Sequence, residues 1–182
     1  MISLLTYLPP GCQRTPPGPI RAGTPPEVVP VTQTDATDAP RILCESLIGR
    51  LGTCLENEPY VVPISFVWHE GSIYFHSSAD GRKYRTLVEN PRVCLEVDEA
   101  EFVPDEDPCR LHFDYRSAIA WGRARVVSED DERLNALRRL CEKYAPGSGE
   151  RLSAGKVAGY DNLAVIAIDV DALTTRQNPP GE

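Results

Sequence analysis

The sequence predicts an α+β domain or small barrel built mainly from antiparallel strands, and three observations predict it. Residues Tyr60 to Ser78 alternate large apolar and mixed side chains on both sides of Glu70-Gly71, the pattern of a hairpin with one buried face. Along the chain the order reads helix, three strands, helix, two strands, helix, strand, so strands follow one another instead of alternating with helices. No G-x-G-x-x-G follows any strand, which leaves a doubly wound nucleotide-binding sheet without support.

Composition narrows the function classes. With 182 residues, 41% of them hydrophobic and 25% charged, the chain is long enough for one well-filled domain and short for two. A net charge of -8 and a pI near 5.0 argue against nucleic acid or an anionic membrane as partner, because both require clustered basic side chains. No run approaches the ~20 apolar residues of a membrane span. The opening MISLLTYL lacks a basic flank and stops at Pro9-Pro10, so it does not read as a secretion signal; a cytoplasmic location with reduced thiols is expected. The six cysteines form no C-x-x-C and no zinc spacing with the three histidines, so no metal site is expected, and Cys44, Cys54 and Cys94 read as small buried residues.

Residues 1–36 contain eight of the 17 prolines before position 31 and almost no apolar period, which predicts an extended, disordered tail. The folded domain is expected over residues 37–176, with a short tail at 177–182. It opens with a helix capped by Asp38, with Pro40 in its first turn, running to Gly49 or Gly52. A strand over Leu51–Glu56 and a turn at Asn57-Glu58-Pro59 lead into a strand over Tyr60–His69. Pairing across Glu70-Gly71 joins His69 to Ser72, Phe66 to Phe75 and Ser65 to His76. That register sets Phe66, Trp68, Ile73 and Phe75 on the core face and Pro63, Ser65, His76 and Ser78 on the other.

The segment GRKYRTLVEN predicts a helix ended by Asn90-Pro91, followed by a strand over Arg92–Val97. Asp98 to Arg110, with six acidic residues and two prolines, reads as a solvated loop without calcium-loop spacing. Leu111–Val127 is a long strand whose small residues Ala118, Ala120, Gly122 and Ala124 allow close approach by another element or a flat ligand, while Ser117, Ile119 and Trp121 point the other way. Acidic residues from Ser128 onward open an amphipathic helix ending near Tyr144, with Leu134, Leu137, Leu140 and Cys141 inward. GSGERLSAGKV misses phosphate-loop spacing by one residue. Leu163–Val170 closes the domain as a strand buried on both faces.

One segment combines the groups that hold a terminal phosphate. His76-Ser77-Ser78-Ala79-Asp80-Gly81-Arg82-Lys83 supplies hydroxyls, a glycine and two adjacent cations at a helix N-terminus, where cations are unfavourable unless an anion compensates them. The alternative is a solvated first turn neutralised by acids such as Asp80.

The runs YVVPISF, IYFHSSADGRK, NPRVCLEVDE and YRSAIAWGRARVV, in that order, resemble the flavin-nucleotide-binding split-barrel proteins related to pyridoxamine 5'-phosphate oxidase, and among them the nitroimidazole-resistance (Nim-type) branch. The resemblance covers roughly residues 37 to 176. It implies a six-stranded split β-barrel with flanking helices, a homodimer, and FMN in a groove at the subunit interface. By position, Pro63, Ile64, Ser65 and Phe66 run along the flavin ring, with His76 close to it. Ser77, Ser78, Arg82 and Lys83 then hold the phosphate, Ser117 adds a polar contact, and Trp121 either touches the flavin or packs in the core or dimer. The C-terminal arginine and tryptophan pattern of the vitamin B6 oxidases is missing, Arg176 being a loose counterpart, so that activity is not implied.

Two functions follow from the resemblance. One is an FMN-dependent oxidoreductase passing electrons from a reduced nicotinamide to an electron-poor small molecule such as a nitroaromatic or quinone, with the flavin doing the redox chemistry and His76 either donating a proton or only hydrogen-bonding Ser65. The other is a non-catalytic carrier or sensor of flavin, deazaflavin or haem.

Overall fold

A computed structural model describes residues 38–178; the proline-rich segment 1–36 and the last residues of the C-terminal tail lie outside the described residues. The fold is a seven-stranded antiparallel sheet with flanking helices, in the order β2-β1-β5-β6-β7-β4-β3. The strands are β1 Ile48–Leu55, β2 Glu58–Ser65, β3 Val67–His69, β4 Ser72–Ser78, β5 Arg92–Val103, β6 His112–Val126 and β7 Leu163–Asn178. The helices are α1 Ala39–Glu45, α2 Arg82–Glu89, α3 Asp130–Tyr144 and α4 Ala154–Ala158.

The seventh strand comes from a break at Phe66. Tyr60–His69, expected as one strand, is divided there: β2 pairs with β1 (Ser65 opposite Ile48) and β3 with β4 (Trp68 opposite Ile73). β2 and β3 therefore form the two edges of the sheet, joined by one residue. The hairpin loop is as expected, His69 pairing with Ser72 across Glu70 and Gly71, both at positive φ as that two-residue turn requires. The expected pairings of Phe66 with Phe75 and Ser65 with His76 do not form, because the chain changes partner just before them.

Inward-facing side chains fill the sheet's interior. Phe66, Ile73, Phe75, Leu51, Leu95 and Ile168 are fully buried there, with Ala118, Ala120 and Ala124 where the expected small-residue stripe lies. Gly122 belongs to the same stripe, and a Cβ on it would sit 2.3 Å from the Asp169 carbonyl oxygen, so only glycine lets β7 pass there. α1 closes one end of the sheet with Ile42 and Leu43, and α2 the other with Leu87. A second cluster joins Leu137 and Leu140 of α3 and Val157 of α4 to Val165 and Ala167, on the outer face of β7. Arg125 fastens the start of α3 there, its guanidinium bridging Glu132 and Asp169 while Tyr74 donates to Glu132 at 3.0 Å.

Several expected boundaries shift for identifiable reasons. α1 ends at Glu45, and the glycines expected to stop it lie in β1, where a Cβ on Gly49 would meet Leu95 at 2.7 Å and one on Gly52 would meet the Cys94 sulfur at 2.9 Å. Asp38 makes no capping hydrogen bond and pairs with Arg41 instead. The β1–β2 turn is Glu56-Asn57, both left-handed, so Pro59 is already in the edge strand, where a missing donor is tolerated. β5 continues to Val103, placing Asp98, Glu99 and Glu101 in a paired arm and not in a loop. β7 runs past Val170 to Asn178, so its described end takes in the first residues expected as tail. Cys44 is exposed, and Cys54 and Cys94 are half-buried rather than buried: Cys44 points away from the Ile42–Leu43 face, and the other two sit on the outer face of β1 and β5.

Candidate functional site

Three patches hold the residues expected to bind a ligand. The first is the outer face of β2, β1, β5 and β6. Registers Pro63–Arg50–Glu96–Ile119 and Gly52–Cys94–Trp121 run across it, so Pro63, Ser65, Ser117 and Trp121 share one face, opposite in parity to the buried residues. Ile64 and Phe66 alternate inward and are buried, leaving only their backbone for a ligand. Ile48 and Val61 stand exposed on this face, at 51% and 63%. Ser117 lies opposite both Asp98 and Arg176, away from Ser65. Trp121 is half-buried beside a bulge in the β6–β7 pairing.

The second patch is a cavity of about 550 Å³ between the outer face of β4 and the α3–α4 segment. Ser65 and His76 both line it, although their strands are not paired there. Tyr144, at the end of α3, locks the wall to the strand break: its hydroxyl accepts from the Phe66 N–H at 2.8 Å and lies 2.7 Å from the Leu47 carbonyl and 3.0 Å from that of Phe66. Burial pushes the Tyr144 phenol above its usual pKa, against hydrogen bonds from Phe66 and Ser65, so it stays neutral. Lys143 lies over the Phe66 ring at 4.1 Å, and burial lowers its pKa. Nothing in the sequence pattern announced Tyr144, whose partners are backbone groups 78 and 97 residues distant. Tyr144→Phe leaves a part-buried N–H without its acceptor and is expected to cost about 1–3 kcal/mol, read from denaturant midpoints; an unchanged midpoint would mean water replaces the hydroxyl.

The third patch is the start of α2. Arg82 is exposed with its guanidinium 4.5 Å from the Tyr60 ring centroid, and Lys83 reaches over Phe75 at 5.3 Å, where burial lowers its pKa. Among the described residues no carboxylate lies within ion-pair distance of either, and the first turn of α2 contains no acid. Asp80 does not neutralise them. It accepts from Ser78, a contact that with Asn162 holds its pKa below the usual range, and Asn162 also donates to Ser78 at 2.8 Å. Ser77 is turned inward and donates to the Ser78 carbonyl at 3.2 Å, so the two adjacent serines do not face the same way. The two cations left unneutralised at this helix start suit a phosphate, whereas the outward Ser78 hydroxyl already donates to Asp80.

A sequence profile described as pyridoxamine 5'-phosphate oxidase matches residues 35–177. The chain belongs to that family. Among solved structures, a candidate 5-nitroimidazole antibiotic resistance protein from Bacteroides thetaiotaomicron is similar at 25% identity and TM-score 0.63, over 74% of this chain and 79% of that one. A flavocytochrome from Azotobacter vinelandii matches at 25% identity and TM-score 0.66, over 78% and 67%. The FAD- and haem-binding protein of Mycobacterium smegmatis shares the fold, with TM-score 0.68 at 20% identity over 78% and 70%. An uncharacterised protein of Rhizobium meliloti is 26% identical over 142 residues, 74% of this chain and 87% of that protein. In the turn between β5 and β6, Asp105 accepts from the Asp107 N–H at 2.8 Å and Asp107 from that of Cys109 at 2.9 Å, so these acids are engaged locally. Among the described residues no helix is long and apolar enough to cross a membrane.

Proposed function

We propose that this family member binds FMN and acts as an oxidoreductase, moving electrons from a reduced nicotinamide to an electron-poor small molecule such as a nitroaromatic or quinone. The observation that carries the reading is the α2 start, where Arg82 and Lys83 have no carboxylate partner among the described residues while Asp80 is turned to Ser78. In this reading Arg82 and Lys83 hold the phosphate, with Ser78 joining them when its hydroxyl turns from Asp80; Pro63 and Ser65 run beside the ring, and Ser117 and Trp121 meet it or the second subunit. The bound flavin supplies the two-electron chemistry. His76 delivers a proton from solvent to the reduced acceptor: a quinone needs two electrons and two protons, of which a hydride donor supplies the electrons and one proton. The homodimer pairs the uncovered face carrying Ile48 and Val61, and the Phe102–Phe113 pair on the β5–β6 arm extends that apolar surface.

Purified or FMN-reconstituted protein is expected to show flavin absorbance that bleaches with NADH or NADPH and returns on adding a quinone. Absorbance without turnover favours a carrier, a reading supported by the similarity to a flavocytochrome. Colourless protein that takes up no FMN sinks the flavin reading.

A further inference from the structure

We propose that the cavity beneath α3 and α4 is the pocket for the electron-accepting substrate, and that this substrate is an uncharged, mainly apolar, flat molecule presenting a hydrogen-bond acceptor to His76. The proposal rests on the oxidoreductase reading and adds the substrate's chemistry and its place.

Its volume, about 550 Å³, falls within the range of small-molecule sites, roughly 300–1,000 Å³. Leu137, Leu140, Leu152 and Val157 supply apolar walls. Among the described residues no Asp, Glu, Lys or Arg lines it, and the cations nearby on α3 are directed elsewhere: Arg138 donates to the Leu152 carbonyl at 3.0 Å and Lys143 covers Phe66. Burying a phosphate or carboxylate among such walls without a partner costs several kcal/mol, so anionic ligands, including pyridoxamine 5'-phosphate, are excluded from this pocket.

The polar groups narrow the ligand further. The Tyr144 hydroxyl is engaged by Phe66 and Leu47, and Ser148 donates to the Cys141 carbonyl at 3.1 Å. On the sheet side His76, with no hydrogen-bond partner among the described residues, is left free to donate into the cavity. Ser65 belongs both to this cavity and to the outer face assigned to the flavin, so a molecule in the pocket meets the ring side at Ser65, with His76 across the cavity from it.

The test compares 1,4-naphthoquinone with 1,4-naphthoquinone-2-sulfonate, nearly the same shape but anionic, by equilibrium dialysis against the full-length protein with and without FMN. The neutral quinone is expected to bind about tenfold or more tightly than the sulfonate. Leu140→Trp, which fills the pocket, is expected to weaken the neutral quinone about tenfold or more while leaving FMN affinity within about twofold. Val157→Trp, on the short α4, gives the same reading if the first variant fails to fold. Equal affinities for the two quinones, or unchanged quinone binding in a folded filled variant, overturn the proposal. Because dialysis needs no flavin, failure to bind FMN counts against the oxidoreductase reading and leaves the pocket to be judged on the quinones alone.

Discussion

Arg82→Ala is expected to weaken FMN binding about ten- to a hundredfold, because a charge-assisted hydrogen bond contributes roughly 1.5–3 kcal/mol. Among the described residues Arg82 has no carboxylate to hold it, and the contact an anion must compete with there is the one with the Tyr60 ring at 4.5 Å. A cation–π contact at an exposed site is worth only about 0.5–1 kcal/mol, which sets the expected effect on stability of the same substitution. Arg82→Lys separates the contributions, retaining charge but losing the two-pronged geometry that suits a phosphate, and is expected to fall between wild type and alanine. Isothermal titration with FMN and with riboflavin checks the assignment: Arg82→Ala should weaken FMN alone, since riboflavin lacks the phosphate. Equal losses for both ligands would mean that the side chain serves the ring or the fold.

That test depends on a segment that was legible in sequence for a physical reason: cations at the positive end of a helix dipole are an anomaly, and among the described residues no acid neutralises Arg82 and Lys83. The pairing of Ser65 with His76 was legible only in part. Both side chains do meet at one cavity, because strand parity carries through Phe66, yet the cross-strand pair itself is missing. The cavity was not legible, since the far wall that Leu137 and Leu140 of α3 begin is completed by Leu152 and Val157 from the irregular chain after Tyr144, where a 3-10 turn at Gly149–Arg151 and the five-residue α4 leave no period to read.

The true length of β7 was hidden by the same logic. Ala164, Ile166 and Ile168 face inward at even positions, and then Gly122 pairs with Val170 while Trp121 pairs with Ala172. Asp171 is the extra residue of a bulge, so the inward positions become Leu173 and Thr175. An expectation built on the apolar run from Leu163 stops at Val170, because Asp171 and the change of parity break the pattern beyond it.

Phe66→Ala is expected to be among the most destabilising single substitutions, costing about 3–5 kcal/mol, because the ring is fully buried. Its position adds a consequence that an ordinary core deletion lacks. Phe66 is the single residue joining the two edges of the sheet, its ring lies under Lys143 and its N–H and carbonyl are held by Tyr144. Leu95→Ala, in the middle of the continuous β5 and equally buried, is expected to cost about 2–5 kcal/mol with little change in ligand affinity. Phe66→Ala should lose stability of that order and ligand affinity as well, because Ser65 is placed relative to His76 only through the junction that Phe66 anchors. Urea midpoints paired with quinone and FMN affinities under native conditions decide this. If the two variants lose stability equally and both retain ligand binding, the junction is ordinary core, and the relative position of Ser65 and His76 is fixed by the rest of the sheet.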